Sequence, residues 1–261
     1  MSERELDGKV AIVTGGGTGI GRGIAESLAR SGAAVALMGP DESLLKTACA
    51  EFAEEGLIAR SYAGDVRVVD DVERIVQSCV KDLSSVDILV NNAGLFPNKV
   101  AVDMSEDDWD IVIDTNVKGT FLFSQACARQ MIRQGRGGRI VNISSTAAKI
   151  ARPGIAHYGP SKAAIAHMTG VLAIEWGKEG ITVNCVAPGI VLTEQVKKQM
   201  ASPEGRAEYE SRRSRIPLGE FGEIRDVAEA VRWLVGPSST YCTGSVLTVD
   251  GGYGLGVTSY K

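Results

Sequence analysis

Seven short runs rich in β-branched and other apolar residues recur along this chain, and stretches of helical periodicity separate them. The runs are Lys9 to Val13, Ala34 to Met38, Ile58 to Tyr62, Asp87 to Asn91, Arg139 to Ile143, Ile181 to Val186 and Ser245 to Val249. Between them lie amphipathic stretches at Gly19 to Arg30, Glu42 to Glu55, Val69 to Leu83, about Ser105 to Arg133, Tyr158 to Lys178 and Ile224 to Val235. A strand that is apolar at successive positions is buried on both faces, and a helix between strands provides the crossover that parallel pairing requires. The alternation predicts an α/β fold with a seven-stranded parallel sheet, helices on both faces and doubly wound topology. In such a fold ligands bind at the carboxyl ends of the strands.

The remaining sequence limits the function. No break in composition divides the 261 residues, so a single domain spanning 1–261 is expected. The net charge of −4 offers no field for nucleic acid. The start, Met1 to Glu5, has no apolar signal core, and no apolar run approaches the roughly 18 residues that span a bilayer. A cytoplasmic protein is expected. The five cysteines are scattered and never form a CxxC pair, and the two histidines have no zinc spacing, so no metal site is expected. His157, beside Tyr158, is a candidate for the mouth of the site, and neither histidine is assigned a catalytic or metal role. The charged segment Thr193 to Pro217 sits between two strand–helix units and reads as a lid insertion at about 193–217.

After the first run comes Thr14-Gly15-Gly16-Gly17-Thr18-Gly19-Ile20-Gly21. Glycines allow a sharp turn and a close approach of backbone to a pyrophosphate, and the next helix offers free N–H groups. The spacing is Gly-x-x-x-Gly-x-Gly, not the GxGxxG of the general dinucleotide fingerprint. Tyr158 and Lys162, four residues apart, share one face of a helix. A nearby ammonium stabilises phenolate, so such a tyrosine can exchange a proton with an alcohol or carbonyl near neutrality. Asn116 falls within a stripe of mostly apolar residues (Trp109, Val112, Ile113, Val117) and predicts a buried amide that needs partners.

These motifs, with Asp65-Val66, Asn91-Asn92-Ala93-Gly94, Ser145, Pro188-Gly189, Thr193 and Asp250-Gly251-Gly252, resemble those of the short-chain dehydrogenases/reductases in order and spacing. The resemblance covers nearly the whole chain. It implies a Rossmann-type domain that binds NAD or NADP. It also implies an enzyme that moves a hydride between nicotinamide and the carbonyl or secondary-alcohol carbon of a small ketone, alcohol, polyol or sugar. The catalytic residues it implies are Asn116, Ser145, Tyr158 and Lys162. Tyr158 acts as acid or base, and Ser145, chosen over its neighbour Ser144 by family spacing, holds the substrate oxygen. Asn116 holds a water that contacts the lysine. The cofactor contacts implied are Gly15, Thr18, Gly19, Ile20, Gly21, Gly39, Pro40, Asp65, Val66, Asn92, Ala93, Gly94, Tyr158, Lys162, Pro188, Gly189, Val191 and Thr193. A homotetramer is expected: in the family the helices bearing Asn116 and Tyr158 pair with their copies, and in this sequence Gly251 to Lys261 is the candidate for a second interface.

The chain departs from the family at the end of the second run, where an acidic residue selects NAD and a nearby arginine accepts the NADP phosphate. Here stand Gly39 and Pro40, with Asp41 and Glu42 beyond them to repel a phosphate, which leans the reading toward NAD. Two alternatives compete with a small-molecule dehydrogenase. One is a 3-oxoacyl-carrier-protein reductase, for which Arg129, Arg133, Arg136 and Arg139 would supply basic charge near the entrance. The other is a non-catalytic cofactor sensor, which the complete tetrad disfavours. No membrane or nucleic-acid partner is expected.

Overall fold

The computed structural model describes residues 4–256. Seven strands form one parallel sheet in the order β3-β2-β1-β4-β5-β6-β7. They are β1 (Val10–Thr14), β2 (Ala34–Gly39), β3 (Ala59–Ala63), β4 (Ile88–Asn91), β5 (Gly138–Ile143), β6 (Ile181–Pro188) and β7 (Val246–Val249). The order runs outward from β1 in both directions, so the strand ends on either side of β1 leave a crevice. Its helices are α1 (Gly19–Arg30), α2 (Glu42–Glu54), α3 (Val69–Leu83), α4 (Glu106–Ile113), α5 (Gly119–Gln134), α6 (Tyr158–Trp176), α7 (Glu194–Gln199), α8 (Pro203–Arg213) and α9 (Ile224–Val235).

Two apolar cores lie on opposite faces of the sheet. Ala11, Val13, Val35 and Leu37 pack on one side with Ile24 and Leu28 of α1 and Val227 and Val231 of α9. Val10, Ile12, Ala36 and Met38 pack on the other with Ile75 of α3, Phe123 of α5 and Leu172 of α6. Alternate residues of β1 and β2 therefore serve different cores, which is why their sequences are apolar throughout.

A polar network crosses the second layer behind the strand ends. Asn91 Nδ2 donates to Ser124 Oγ and to Asn142 Oδ1, both at 2.8 Å. Asn142 Nδ2 donates to Thr169 Oγ1 at 3.0 Å. All four residues are buried, and the chain of bonds joins β4, β5, α5 and α6.

The long helix expected from Ser105 to Arg133 is divided. Between α4 and α5 the backbone forms a π-helical turn, Asp114–Lys118. A π turn holds an extra residue per turn and changes the angular register of the residues beyond it. Trp109, expected in the buried stripe, is 42% exposed, whereas Asn116 is fully buried. The segment 193–217, read from its charge as a lid insertion, is folded. It forms α7 and α8, each capped by a side chain (Thr193 to Val196 N–H, Ser202 to Gly205 N–H), and Val196, Tyr209 and Ile216 anchor it.

Candidate active site

The glycine loop joins β1 to α1 at the crevice. Gly15 and Gly19 have φ of +64° and +54°, which residues with a Cβ rarely adopt. At Gly21 a Cβ would stand 2.2 Å from the Gly15 carbonyl oxygen, so this contact admits only glycine. At Gly19 a Cβ would meet nothing nearer than the Thr193 methyl, 3.8 Å away. The loop thus packs tightly beneath and leaves open space above, the shape a phosphate cradle needs.

Thr14 and Asn92 tie this loop to the end of β4. The Thr14 hydroxyl accepts from the backbone N–H groups of Asn92 and Ala93, both at 3.0 Å. Asn92 Nδ2 donates back to the Thr14 and Gly15 carbonyls at 3.1 and 3.3 Å. The floor of the crevice is therefore one hydrogen-bonded unit.

A cleft of about 1200 Å³ opens above that floor. Gly15, Thr18, Gly19, Ile20, Asn92, Ala93, Gly94, Pro188, Gly189, Val191 and Thr193 line it, as do Ser145, Tyr158 and Lys162. Gly39, Pro40, Asp65 and Val66 lie outside this lining. Gly39 ends β2 and Pro40 is exposed beyond it. Asp65 is in an ion pair with Arg67, and buried Val66 packs against Gly119, where a Cβ would come within 2.7 Å of its methyl. Gly21 lies beneath the floor.

Lys162 is 4% exposed, and its Nζ donates to the Ile143 carbonyl at 2.9 Å. Burial lowers its pKa to about 8. Tyr158 Oη belongs to a phenol that burial pushes upward in pKa, while the Ser145 hydroxyl and the Arg152 charge pull it back. The sequence expectation was of a phenol lowered by the lysine. In the fold both groups are desolvated, burial outweighs the pull of Ser145 and Arg152 on the phenol, and the ammonium sits 5.7 Å from the ring centroid. Ser145 leaves β5 in extended conformation and also accepts from Ala147 N–H at 3.1 Å. Ser144 is buried, and its hydroxyl donates to the Lys162 carbonyl at 2.7 Å, a structural bond that fixes α6 to β5.

Asn116 stands behind the cleft. Its Oδ1 accepts from Leu95 N–H at 2.8 Å, and its Nδ2 donates to the Leu95 carbonyl and to Ser161 Oγ, both at 3.0 Å. At Gly94 a Cβ would lie 3.1 Å from Asn116 Oδ1 and 3.4 Å from Lys162 Nζ, so both polar atoms converge on the one residue that has no side chain.

Other expectations change. His157 does not line the mouth: it is fully buried, its Nδ1 accepts from Tyr158 N–H at 2.9 Å, and its Nε2 has no protein partner. Burial lowers its pKa. Arg136 and Arg139 do not stand at the entrance; they line a separate cavity at the opposite, amino-terminal end of the strands. Sequence reasoning missed Ile143, whose carbonyl holds the lysine, and Ser161, which holds the asparagine; backbone acceptors and second partners leave no pattern in a sequence. It also missed Tyr253, brought to the cleft from beyond β7 by the turn that Asp250 caps at Gly252 and Gly254. No group of three or more metal-ligating side chains occurs among the described residues. No helix there is long and apolar enough to cross a membrane.

Comparison with known proteins bears on this geometry. A family model described as enoyl-(acyl carrier protein) reductase matches residues 15–254. Gluconate 5-dehydrogenase of Gluconobacter oxydans is 39% identical over 247 residues, 95% of each chain. The 3-oxoacyl-(acyl-carrier-protein) reductase of Thermotoga maritima is 38% identical over 249 residues, covering 95% of this chain and 98% of its own. A crystal structure of a short-chain type dehydrogenase/reductase from Mycobacterium marinum superposes with a TM-score of 0.87 at 34% identity, covering 96% of this chain and 97% of that one. With the glycine loop, the serine–tyrosine–lysine cluster and the parallel sheet all in place, the chain belongs to the short-chain dehydrogenase/reductase family of oxidoreductases.

Proposed function

We propose that this protein is an NAD(P)-dependent oxidoreductase of small polyhydroxylated alcohols and ketones, with Tyr158 as the proton-transfer residue. The observation that carries the reading is the convergence of Ser145, Tyr158 and Lys162 on one cleft whose floor is the glycine loop. The open face at Gly19 and the positive φ values of the loop suit a pyrophosphate, so the residues fit the cofactor. Gly15, Thr18, Gly19, Ile20 and Gly21 would hold its phosphates; Asn92, Ala93, Gly94, Pro188, Gly189, Val191 and Thr193 would flank the nicotinamide half. Gly39, Pro40, Asp65 and Val66 would border the adenosine half. When bound, the cofactor supplies or accepts the hydride.

The chain's own residues do the rest. Ser145 Oγ donates to the substrate oxygen and stabilises charge that develops there. Tyr158 Oη gives a proton to that oxygen in reduction or takes one in oxidation. Lys162, held by Ile143, keeps a positive charge beside the phenol. Asn116, with one lone pair of Oδ1 beyond its bond to Leu95, supports a proton path past Gly94 to the lysine. The family relative from Gluconobacter supports a polyol-like substrate. A second reading, reduction of an acyl group on a carrier protein, draws support from the Thermotoga relative. For cofactor choice we favour NAD, since neither Gly39 nor Pro40 can receive a 2′-phosphate.

The decisive experiment is Tyr158→Phe. It retains the ring and removes the reacting oxygen, so kcat falls at least about a thousandfold while cofactor affinity, read by fluorescence titration, changes little. Near-parental turnover would overturn the mechanism.

We also assign a cytoplasmic homotetramer. Phe123, Met131, Ile165 and Leu172 are buried in the chain's own core, but Phe121, Val171 and Ile174 on the same helices are 38%, 43% and 84% exposed. A second apolar set, Trp233, Tyr241 and Val246, is exposed near the edge strand β7. Two separate patches match the two kinds of two-fold interface in a tetramer. The part of the expected C-terminal interface at 257–261 lies outside the described residues.

A further inference from the structure

The cleft contains one unpaired charge that the mechanism does not use. Besides Lys162, the charged residues that line it are Asp108, Arg152, Glu194, Glu208 and Arg212. Asp108 is paired with Lys99, Glu194 with Lys197, and Glu208 with Arg212. Arg152 alone among these has no ion pair or hydrogen bond within the described residues. The carboxylates of the cleft are thus already matched, and apart from the buried Lys162 the unpaired charge that remains is a single guanidinium.

Arg152 is exposed, and the backbone that carries it is held by the fold. Arg152 lies on the connection between Ser145 and Tyr158, so the same segment carries both catalytic hydroxyls and the cation. The segment is braced from the side. Lys99 N–H donates to the Gly154 carbonyl at 2.9 Å, and Lys99 pairs with Ile155 as an isolated parallel bridge. Gly154, at φ +82°, lies so close to Asn98 that a Cβ would fall 1.8 Å from its side-chain oxygen. Ile155 is buried beneath. Arg152 lines the same cleft as Tyr158 and as Tyr209 of α8.

We infer that Arg152 is the anion anchor of the substrate site and that the preferred substrates are monoanionic polyhydroxy or oxo acids, their carboxylate on Arg152 and their reacting carbon at Tyr158. This rests on the oxidoreductase reading above and narrows its substrate class. A guanidinium is a planar fork that takes a carboxylate through two parallel hydrogen bonds. A neutral polyol gains nothing from it. A phosphate dianion would leave its second negative charge unmatched at Arg152, since the other guanidinium of the cleft, Arg212, is paired with Glu208 and Lys162 lies buried beside Tyr158.

The test pairs five- and six-carbon aldonic acids with the alditols of equal carbon count, which differ at the carboxylate carbon, using NAD and NADP. For the parent, kcat/KM should favour the acids at least about tenfold. In Arg152→Gln the acid-to-alditol ratio should fall about ten- to hundredfold, mainly through KM for the acid, and Arg152→Lys should restore part of it. The ratio cancels any effect of the missing charge on Tyr158, because both substrates share that step. A parent without acid preference, or a ratio that Arg152→Gln leaves unchanged, overturns the inference while the oxidoreductase reading stands. If neither class turns over with either cofactor, the reading of polyhydroxylated substrates fails. Calorimetric titration of D-gluconate into the parent and Arg152→Gln then decides the anchor alone: binding lost in the variant sustains it, and equal or absent binding in both refutes it.

Discussion

The Lys162 ammonium donates to the Ile143 carbonyl across 2.9 Å in a site where the lysine is 4% exposed. That single bond meets only part of the cost of taking a charge out of water, which is why the pKa of Lys162 falls to about 8.

The depressed lysine makes stability depend on pH. An unfolded lysine keeps its proton up to about 10.5, whereas the folded one begins to lose it near 8. Between those values the unfolded state binds more protons, so stability rises with pH there, and the penalty is complete below about 8. A depression of that size is worth about 3 kcal/mol. Lys162→Met should therefore be nearly inactive yet more stable at pH 7 by about 1–3 kcal/mol, after about 1 kcal/mol for the orphaned Ile143 carbonyl. Urea denaturation at several pH values measures both variants; a less stable methionine variant would show that the bond to Ile143 outweighs desolvation.

Asn116 gives the opposite case, a buried polar residue whose amide is held by three hydrogen bonds. Asn116→Ala removes the partners of both backbone groups of Leu95. The expected cost is about 2–3 kcal/mol, with a fall in kcat because Gly94 and Leu95 form the cleft wall. A variant that melts within 1 °C of the parent would contradict this account.

Cofactor selection should be weak. The acidic residues beyond Pro40 are already engaged: Asp41 accepts from Ser43 and Leu44 N–H at 3.0 and 3.1 Å, and Glu42 pairs with Lys46 at 2.7 Å. We expect kcat/KM for NAD and NADP to differ by no more than about tenfold, and Pro40→Arg to move the ratio toward NADP by about ten- to hundredfold. Steady-state kinetics with both cofactors checks it. A strong NADP preference in the parent would reveal a phosphate-binding residue elsewhere.

Ile174 is the most exposed large apolar residue on α6, so it is the place to break the proposed assembly. Ile174→Glu should shift the light-scattering mass from tetramer toward dimer at micromolar concentration, with lower activity because α6 carries Tyr158 and Lys162. A parent that is monomeric and active would remove both the assembly and its supporting role.

Much of this architecture is legible in the sequence because it is periodic. The bounds of α1, α3 and α9 coincide with their apolar patterns, and the buried strands could be located to within about a residue or two. The π turn at Asp114–Lys118 was not legible, since one extra residue leaves the apolar stripe intact on paper and rotates it in space. Nor were α7 and α8: their sequences are mostly charged, and what fixes them is a few buried side chains such as Tyr209 plus their caps. The misjudgement of His157 has the same origin. Its neighbour Tyr158 faces the cleft, but at a helix start adjacent residues point about 100° apart.

The amides behind the strand ends also bear on how the chain avoids misfolding. Asn91 and Asn142 are direct register partners on β4 and β5. Where both faces of a sheet are apolar, sliding a strand by two residues keeps every hydrophobic side chain on its proper face, so burial alone scarcely penalises the error. The amide network does penalise it: the same slip would break the bonds to Ser124 and Thr169 and leave the amides of Asn91 and Asn142 unmatched in a dry interior. These four side chains act as a locating peg. They make the near-correct alignments costly, and so ensure that Ile143, Ser145 and Gly94 arrive at the same depth.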